Sequence, residues 1–212
     1  MGIIFPEMEN VLTLIEPWIR RAGGAAAFLI LAVLLWGIWR GLRRPVGRTS
    51  GAGTALLRKR IFYVVASALF FGFCYILWQP LPLNLPPTAR WTALILGALL
   101  YFPGLVLALS GRLALGQFYN VSTSFGAHLY ADHQLVTAGP FAWVRHPMYL
   151  GLILAAVGGL LVYRTWTTLF LAIVSPGLTR RARREEAALQ AEFGEEWLAY
   201  RARVPGWIPR FH

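Results

Sequence analysis

The sequence predicts an all-α integral membrane protein with five transmembrane helices. The last two form a short hairpin, and a cytoplasmic connector and C-terminal helices complete the chain. Three observations carry that prediction. Apolar residues make up 57% of the 212 residues and charged residues only 14%, against about 45–50% and 25% in soluble domains. No acidic residue stands between Glu16 and Asp132. Three separate runs supply the roughly 20 apolar residues needed to cross about 30 Å of hydrocarbon. This excludes an ordinary soluble enzyme with a half-polar surface, and it excludes a disordered chain, which is poor in apolar residues. The net charge of +11 does not indicate a nucleic-acid partner, because most of the basic residues flank apolar runs.

The first three spans are read at 22–39, 61–78 and 91–109. Trp36, Trp39, Trp78 and Trp91 lie near their ends, as membrane–water interfaces favour. The first run begins some twenty residues in, follows Arg20 and Arg21, and lacks a small-residue cleavage site, so a retained span is expected over a signal peptide. A fourth apolar stretch is interrupted at Tyr163-Arg164-Thr165. It reads as two short helices, 148–163 and 165–178, with Pro176 ending or kinking the second. A charged helix follows over 179–193, with Gly194 as its stop, and a second over 195–203, before Pro205. Residues 1–109 form a three-span scaffold and residues 110–212 the functional core. Cys74 sits inside an apolar run and reads as a buried small hydrophobe.

Basic residues set the orientation. The segment 40–60 holds seven of them and the C-terminal segment another seven, while the segment 79–90 holds only Arg90. Five spans with the N-terminus outside place sixteen basic residues in the cytoplasm and four outside, as the positive-inside rule prefers. The connector before the fourth span and the C-terminal tail then share the cytoplasmic face. Topology and anionic headgroups account for most of these arginines without further function.

The connector is rich in small and polar residues and carries His128, His133 and Asp132. Loops of that length in compact folds are usually functional or disordered, and its aromatic residues argue against disorder. Gly139-Pro140 marks a turn. Arg145-His146-Pro147 opens the fourth span, with proline where its missing N–H is no loss. Free N–H groups and a partial positive charge suit such a helix start to an anion. Arg145, His146 and Tyr149 beside it point beyond a simple helix start. In the tail, Arg181 and Glu185 are i,i+4 neighbours on one face; a solvated charged helix is the plainer reading of that segment.

Other chemistries lack their motifs. There is no H-E-x-x-H, no Walker loop and no G-x-G-x-x-G after a strand. Four histidines at 128, 133, 146 and 212 do not supply a diiron ligand set, and no metal centre is expected. The apolar centres of the first three spans contain no ionisable residue, which disfavours a transporter.

Two blocks then read as a set. The first runs Asp132-His133-Gln134-Leu135-Val136-Thr137-x-Gly139-Pro140-Phe141-x-x-Val144-Arg145-His146-Pro147-Met148-Tyr149-Leu150-Gly151. The second runs Arg181-x-x-x-Glu185-Glu186, then Phe193-Gly194-Glu195-Glu196-Trp197-x-x-Tyr200, then Val204-Pro205-x-x-Ile208-Pro209. Together they resemble the isoprenylcysteine carboxyl methyltransferase family, which is related to the phospholipid methyltransferases. The resemblance covers about residues 113–211. It implies a membrane methyltransferase using S-adenosylmethionine and a lipophilic or prenylated acceptor. Carried over by position, the cofactor contacts are His133, Gln134, Leu135, Val136, Phe141, His146, Pro147, Met148, Tyr149 and Glu185. Phe141 departs from a tyrosine common there, keeping the ring without the hydroxyl. Arg181 falls where the family has a substrate-facing arginine, and Arg181, Arg145 and Glu186 are the catalytic candidates. Eukaryotic members carry more N-terminal spans, which aligns this chain with shorter members of a prokaryotic inner membrane.

The chemistry of these residue types agrees. Leu135, Val136 and Phe141 suit an adenine slot, Glu185 suits ribose hydroxyls, and the start of the fourth span with His146 suits a carboxylate. A carboxylate acceptor is already ionised and needs no base. An amine acceptor, as in phospholipid methylation, needs one, for which Glu186 or His146 would serve. A phospholipid or small-thiol acceptor, an NADPH-dependent sterol-type reductase and a non-enzymatic membrane adaptor are the alternatives.

Overall fold

The computed structural model describes residues 4–41, 60–119 and 134–209. Among them the chain is all-helical. Six α-helices form: α1 Ile4–Gly41, α2 Arg60–Ile76, α3 Pro87–Leu115, α4 Pro147–Tyr163, α5 Trp166–Val174 and α6 Leu178–Arg203. Short 3-10 turns lie at Gly116–Phe118, Gly139–Ala142 and Ser175–Gly177. Two helical stretches, Glu9–Gly37 and Pro87–Phe118, are long and apolar enough to cross a membrane; Val64–Ile76 and Pro147–Tyr163 are shorter apolar helices.

Helix α1 begins well before residue 22, where hydropathy alone places the first span. It holds 38 residues, about 57 Å at 1.5 Å per residue. Pro17 lies inside it, yet the helix continues because its early turns are anchored. Leu12 is fully buried with Leu94, Tyr101 and Val162, and Ile19 packs against the same cluster. Polar residues do not end the helix either, since Glu16 is paired with arginine from three directions.

Helices α3 and α4 form the spine. They run antiparallel, and their backbones meet along glycines spaced seven apart: Gly97, Gly104 and Gly111 on α3, Gly151 and Gly158 on α4. A Cβ on Gly104 would lie 2.6 Å from Ala155 N and 2.8 Å from the Gly151 carbonyl oxygen. One on Gly111 would lie 2.9 Å from Met148 N. Small residues at such positions let helices pack backbone to backbone. Helix α1 lies across both, with Tyr101 Oη donating to the Gly23 carbonyl at 3.1 Å and Tyr163 Oη to the Arg20 carbonyl at 2.7 Å.

The interruption at residues 163–165 is a tight turn. Arg164 takes the left-handed conformation (φ 52°, ψ 49°) and caps α4, and Thr165 opens α5 through a capping box with Thr168. Helix α5 is shorter than expected, nine residues ending at Val174, where the chain tightens into the 3-10 turn Ser175–Gly177 that holds Pro176. Helix α6 contains the expected break: Gly194 has φ 47° and ψ −117°, a conformation that glycine adopts without a Cβ penalty. Backbone bonds from Leu81 N to the Arg164 carbonyl (2.8 Å) and from Trp166 N to the Gln79 carbonyl (3.0 Å) tie the α2–α3 loop to the hairpin tip. The two ends of the spine are thus built from different segments.

Candidate active site

The start of α4 is gripped by the end of the chain. Arg145 N donates to the Pro205 carbonyl at 2.9 Å and His146 N to the Gly206 carbonyl at 3.2 Å. The Arg145 guanidinium completes the grip. Its Nη1 donates to the carbonyls of Val204 at 2.9 Å and Arg201 at 3.1 Å, and its Nε to Glu186 Oε1 at 3.0 Å. Cations at a helix C-terminus satisfy its last carbonyls and its dipole.

Glu186 joins the same knot through His146 Nε2, 2.8 Å from Oε1. The hydrogen bond from His146 holds the Glu186 carboxyl below its usual 4.5, aided by the Arg145 charge and opposed by burial. The His146 ring is buried, stacked on Tyr149 (5.9 Å, 17°) and tilted against Trp207 (5.3 Å). It is the N-cap residue of α4 yet its side chain makes no cap hydrogen bond to the first-turn N–H groups.

Beside this knot lies an open cleft walled by α3, the extended segment, the start of α4 and α6. The end of α3 contributes Leu115 and the following turn Phe118 and Tyr119. The extended segment contributes Leu135 and Val136, the 3-10 turn Phe141, and the start of α4 His146, Pro147, Met148 and Tyr149. Glu185 and Leu189 face it from one side of the Gly194 break, Trp197 and Tyr200 from the other. Leu135 packs against the buried Trp197–Tyr200–Val204 cluster. Tyr200 Oη donates to the Phe141 carbonyl at 2.7 Å, fastening the tail to the connector, and burial pushes its phenol up to about 12. Trp197 is 1% exposed, and among the described residues its Nε1 has no hydrogen-bond partner. An orphaned buried donor of this kind calls for an acceptor.

Eight of the ten expected cofactor contacts therefore line one cavity: Leu135, Val136, Phe141, His146, Pro147, Met148, Tyr149 and Glu185. Gln134 does not; it is exposed at the start of the extended segment. His133 lies outside the described residues. Of the catalytic candidates, Arg145 touches the cavity while its guanidinium is committed to the tail. Glu186 points into the Arg145–His146 knot. Arg181 is not among the residues lining the cavity, but its guanidinium lies 5.7 Å from the ring centroid of Tyr149, which does line it. Sequence reasoning assigned no role to Leu115, Phe118, Tyr119, Leu189, Trp197 or Tyr200. The spacing of Trp197, Tyr200 and Val204 marks a buried helical face and signalled part of that set.

The apolar slot, the acid at Glu185, the open helix start and the orphaned indole N–H together suit a ligand with a flat ring, hydroxyls and a carboxylate. The phospholipid methyltransferase family model matches residues 92–196. The protein-S-isoprenylcysteine O-methyltransferase of Schizosaccharomyces pombe is 36% identical over 111 residues, 47% of each chain. The Homo sapiens enzyme of that name is 37% identical over 79 residues, 36% of this chain and 28% of its own. The solved structure of the eukaryotic intramembrane Ras methyltransferase, isoprenylcysteine carboxyl methyltransferase, shares the fold with a TM-score of 0.50 at 24% identity. That match covers 71% of this chain and 53% of that one. The chain spans about half the length of the S. pombe relative, or less of the others it matches. The motif blocks gather around one cavity, and over its C-terminal half the chain is similar to the phospholipid methyltransferase family model and to the protein-S-isoprenylcysteine O-methyltransferases.

Proposed function

We propose that this chain is an integral membrane methyltransferase that uses S-adenosylmethionine and methylates a lipophilic acceptor, an isoprenylcysteine-type carboxylate being favoured. The observation that carries the reading is the cavity at the start of α4, where eight motif residues converge under the C-terminal tail. When bound, the cofactor supplies a methyl group activated by its sulfonium charge. Leu135, Val136 and Phe141 form the apolar slot for its adenine. Glu185 accepts from the ribose hydroxyls, and Trp197 Nε1 donates to an acceptor atom of the ligand. The open N–H groups of α4, with His146 beside them, hold the carboxylate.

The chain's own contribution is alignment and exclusion of water. Arg181, beside the Tyr149 ring, orients the acceptor carboxylate through charge-assisted hydrogen bonds. Such an acceptor is ionised near neutral pH, so no side chain has to remove a proton. Arg145 and Glu186 act as positioning residues: they lock the tail over the cavity and keep the His146 ring in place.

Five crossings with the N-terminus outside remain the topology we favour. Leu178 and Leu34 both pack near Met148 and Tyr149, which supports the return of the 165–178 segment to the cavity end and places the C-terminal part of α1 there too. The cavity then opens on the cytoplasmic face. The methyltransferase core takes in residues 110–212 together with α3, whose glycines carry α4, and residues before α3 serve as scaffold. Isothermal titration in detergent tests the reading. Folded wild-type protein should bind S-adenosylmethionine, and Glu185→Ala should weaken that binding. Absence of binding by folded wild-type protein overturns it.

A further inference from the structure

At the opposite end of the spine from the cavity, three arginines close on one buried carboxylate. Glu16 of α1 has a side chain only 6% exposed. It meets Arg20 Nη2 at 2.6 Å, Arg90 Nη2 at 2.9 Å and Arg164 Nη2. Arg20 comes from α1, Arg90 from the first turn of α3 and Arg164 from the α4–α5 hairpin tip. These are three of the four basic residues that the positive-inside assignment leaves on this face. The arginines are more open than the acid they surround, at 37%, 29% and 13% of their side-chain surface. Two adjoining open clefts both have all three in their walls.

A staple between helices needs one arginine per carboxylate. Here, among the described residues, two positive charges have no counter-charge in a partly buried place, where unpaired charge is costly. Among the described residues their other bonds are to carbonyls, from Arg20 Nε to Val162 at 3.1 Å and from Arg164 Nη1 to Leu161 at 3.1 Å, and neither supplies negative charge. Each guanidinium carries five N–H donors, and among the described residues Glu16 is the one side-chain hydrogen-bond partner of Arg90. Arg164 also holds a left-handed backbone (φ 52°) where glycine is the unstrained choice, so the position keeps a guanidinium in place of conformational ease.

We propose that Arg20, Arg90 and Arg164 form a binding site for a phosphate group, with Glu16 as the internal strut that spreads the three guanidinium forks. A tetrahedral phosphate presents several oxygens to forks arriving from three helices, and arginine suits bidentate phosphate recognition. Glu16 itself already supplies the two oxygens of a carboxylate. Given the membrane reading above, the group comes either from an anionic lipid headgroup at this face or from free phosphate. The site is separate from the methyltransferase cavity, and its chemistry does not depend on what that cavity binds.

Native mass spectrometry of the full chain in detergent tests the proposal, with phosphatidylglycerol, phosphatidylcholine and inorganic phosphate as probes. Phosphatidylglycerol should bind more tightly than phosphatidylcholine. Arg90→Gln and Arg164→Gln should each weaken it about tenfold, the loss of one charge-assisted pair. Arg90→Lys keeps the charge and the fold while losing the fork, and should fall between. Glu16→Gln, which removes the competing carboxylate, should tighten binding in whatever fraction folds. Displacement of the lipid by inorganic phosphate identifies a site for the bare group, and lack of displacement identifies the lipid headgroup; both support the site. Phosphatidylglycerol binding equal in wild type, Arg90→Lys and Arg164→Gln overturns it, placing the lipid elsewhere, such as on the basic tail. Absence of binding by folded wild-type protein overturns it as well.

Discussion

Gly151→Ala adds one methyl group at the tightest part of the spine. Its Cβ would lie 2.5 Å from the Gly104 carbonyl oxygen, against 3.4 Å or more in ordinary contact. The neighbour is helix backbone and cannot rotate away, so α3 and α4 must part by about 1 Å or bend. Overpacking costs about 1–3 kcal/mol, and a contact against helix backbone falls in the upper part, about 2–3 kcal/mol, while alanine regains roughly 1 kcal/mol of helix propensity over glycine. The net loss is about 1–2 kcal/mol, and a chain of this length moves roughly 2–4 °C per kcal/mol. A fall of about 2–8 °C in detergent is therefore expected. Because Gly151 lies one turn after Met148 and Tyr149, cofactor affinity measured by titration should drop in parallel. Gly72→Ala is the internal control, since a Cβ there meets nothing within 4 Å, and it should leave the midpoint level or raise it. If Gly151→Ala unfolds at or above the wild-type temperature, or if Gly72→Ala is equally damaging, the backbone-contact argument is wrong.

Three further outcomes follow from the cavity and its lock. Trp197→Phe keeps a ring in the buried cluster and removes the orphaned donor; titration should show cofactor affinity down by roughly tenfold, one hydrogen bond's worth, with the midpoint little changed. Arg181→Ala should lower turnover in a radiolabelled methyl-transfer assay while cofactor affinity stays within about twofold; loss of both would remove its assigned role. The Glu186 carboxyl has its folded pKa depressed by His146 and Arg145, so its stabilisation is fully present above 4.5, its usual value, and is lost as pH falls through the lower folded value. Thermal midpoints scanned downward from neutral pH should show that loss, and Glu186→Gln should flatten the same part of the profile.

Much of the cavity was legible because its residues are contiguous. Leu135 to Tyr149 form a single stretch whose turn, proline start and polar side chains announce themselves in order. Gln134 shows where contiguity misleads: it belongs to the motif block but is exposed where Leu135 and Val136 line the cavity. The rest depends on partners distant in sequence. Leu115, Phe118 and Tyr119 enter the cavity only because α3 lies against α4, and that fit is written in glycines spaced seven apart on two separate helices. Each glycine alone reads as a tolerated defect in an apolar run. Hydropathy likewise does not show how far α1 extends before residue 22, since a window average counts Glu16 and Arg20 as polar and cannot see that Glu16 is paired across 74 residues with Arg90 and across 148 with Arg164.

The two halves of the site are held by different forces, and this has a consequence for how it opens. The floor, α3 against α4, is a backbone-to-backbone fit with no room to adjust, so it sets the cavity's width as a fixed dimension. The cover is the α6 segment beyond Gly194, held by Tyr200 to the Phe141 carbonyl, by Arg145 to the Val204 and Arg201 carbonyls, and by two backbone bonds at Pro205 and Gly206. Those are discrete polar contacts, each worth about 0.5–1.5 kcal/mol net, or up to about 3 where charged. They can be released together without disturbing the spine, and Gly194 supplies the joint. If the cavity takes the proposed cofactor, motion of the tail would admit it without parting α3 from α4, and variants that loosen Arg145 or Tyr200 should speed cofactor exchange more than they lower the stability of α3 and α4.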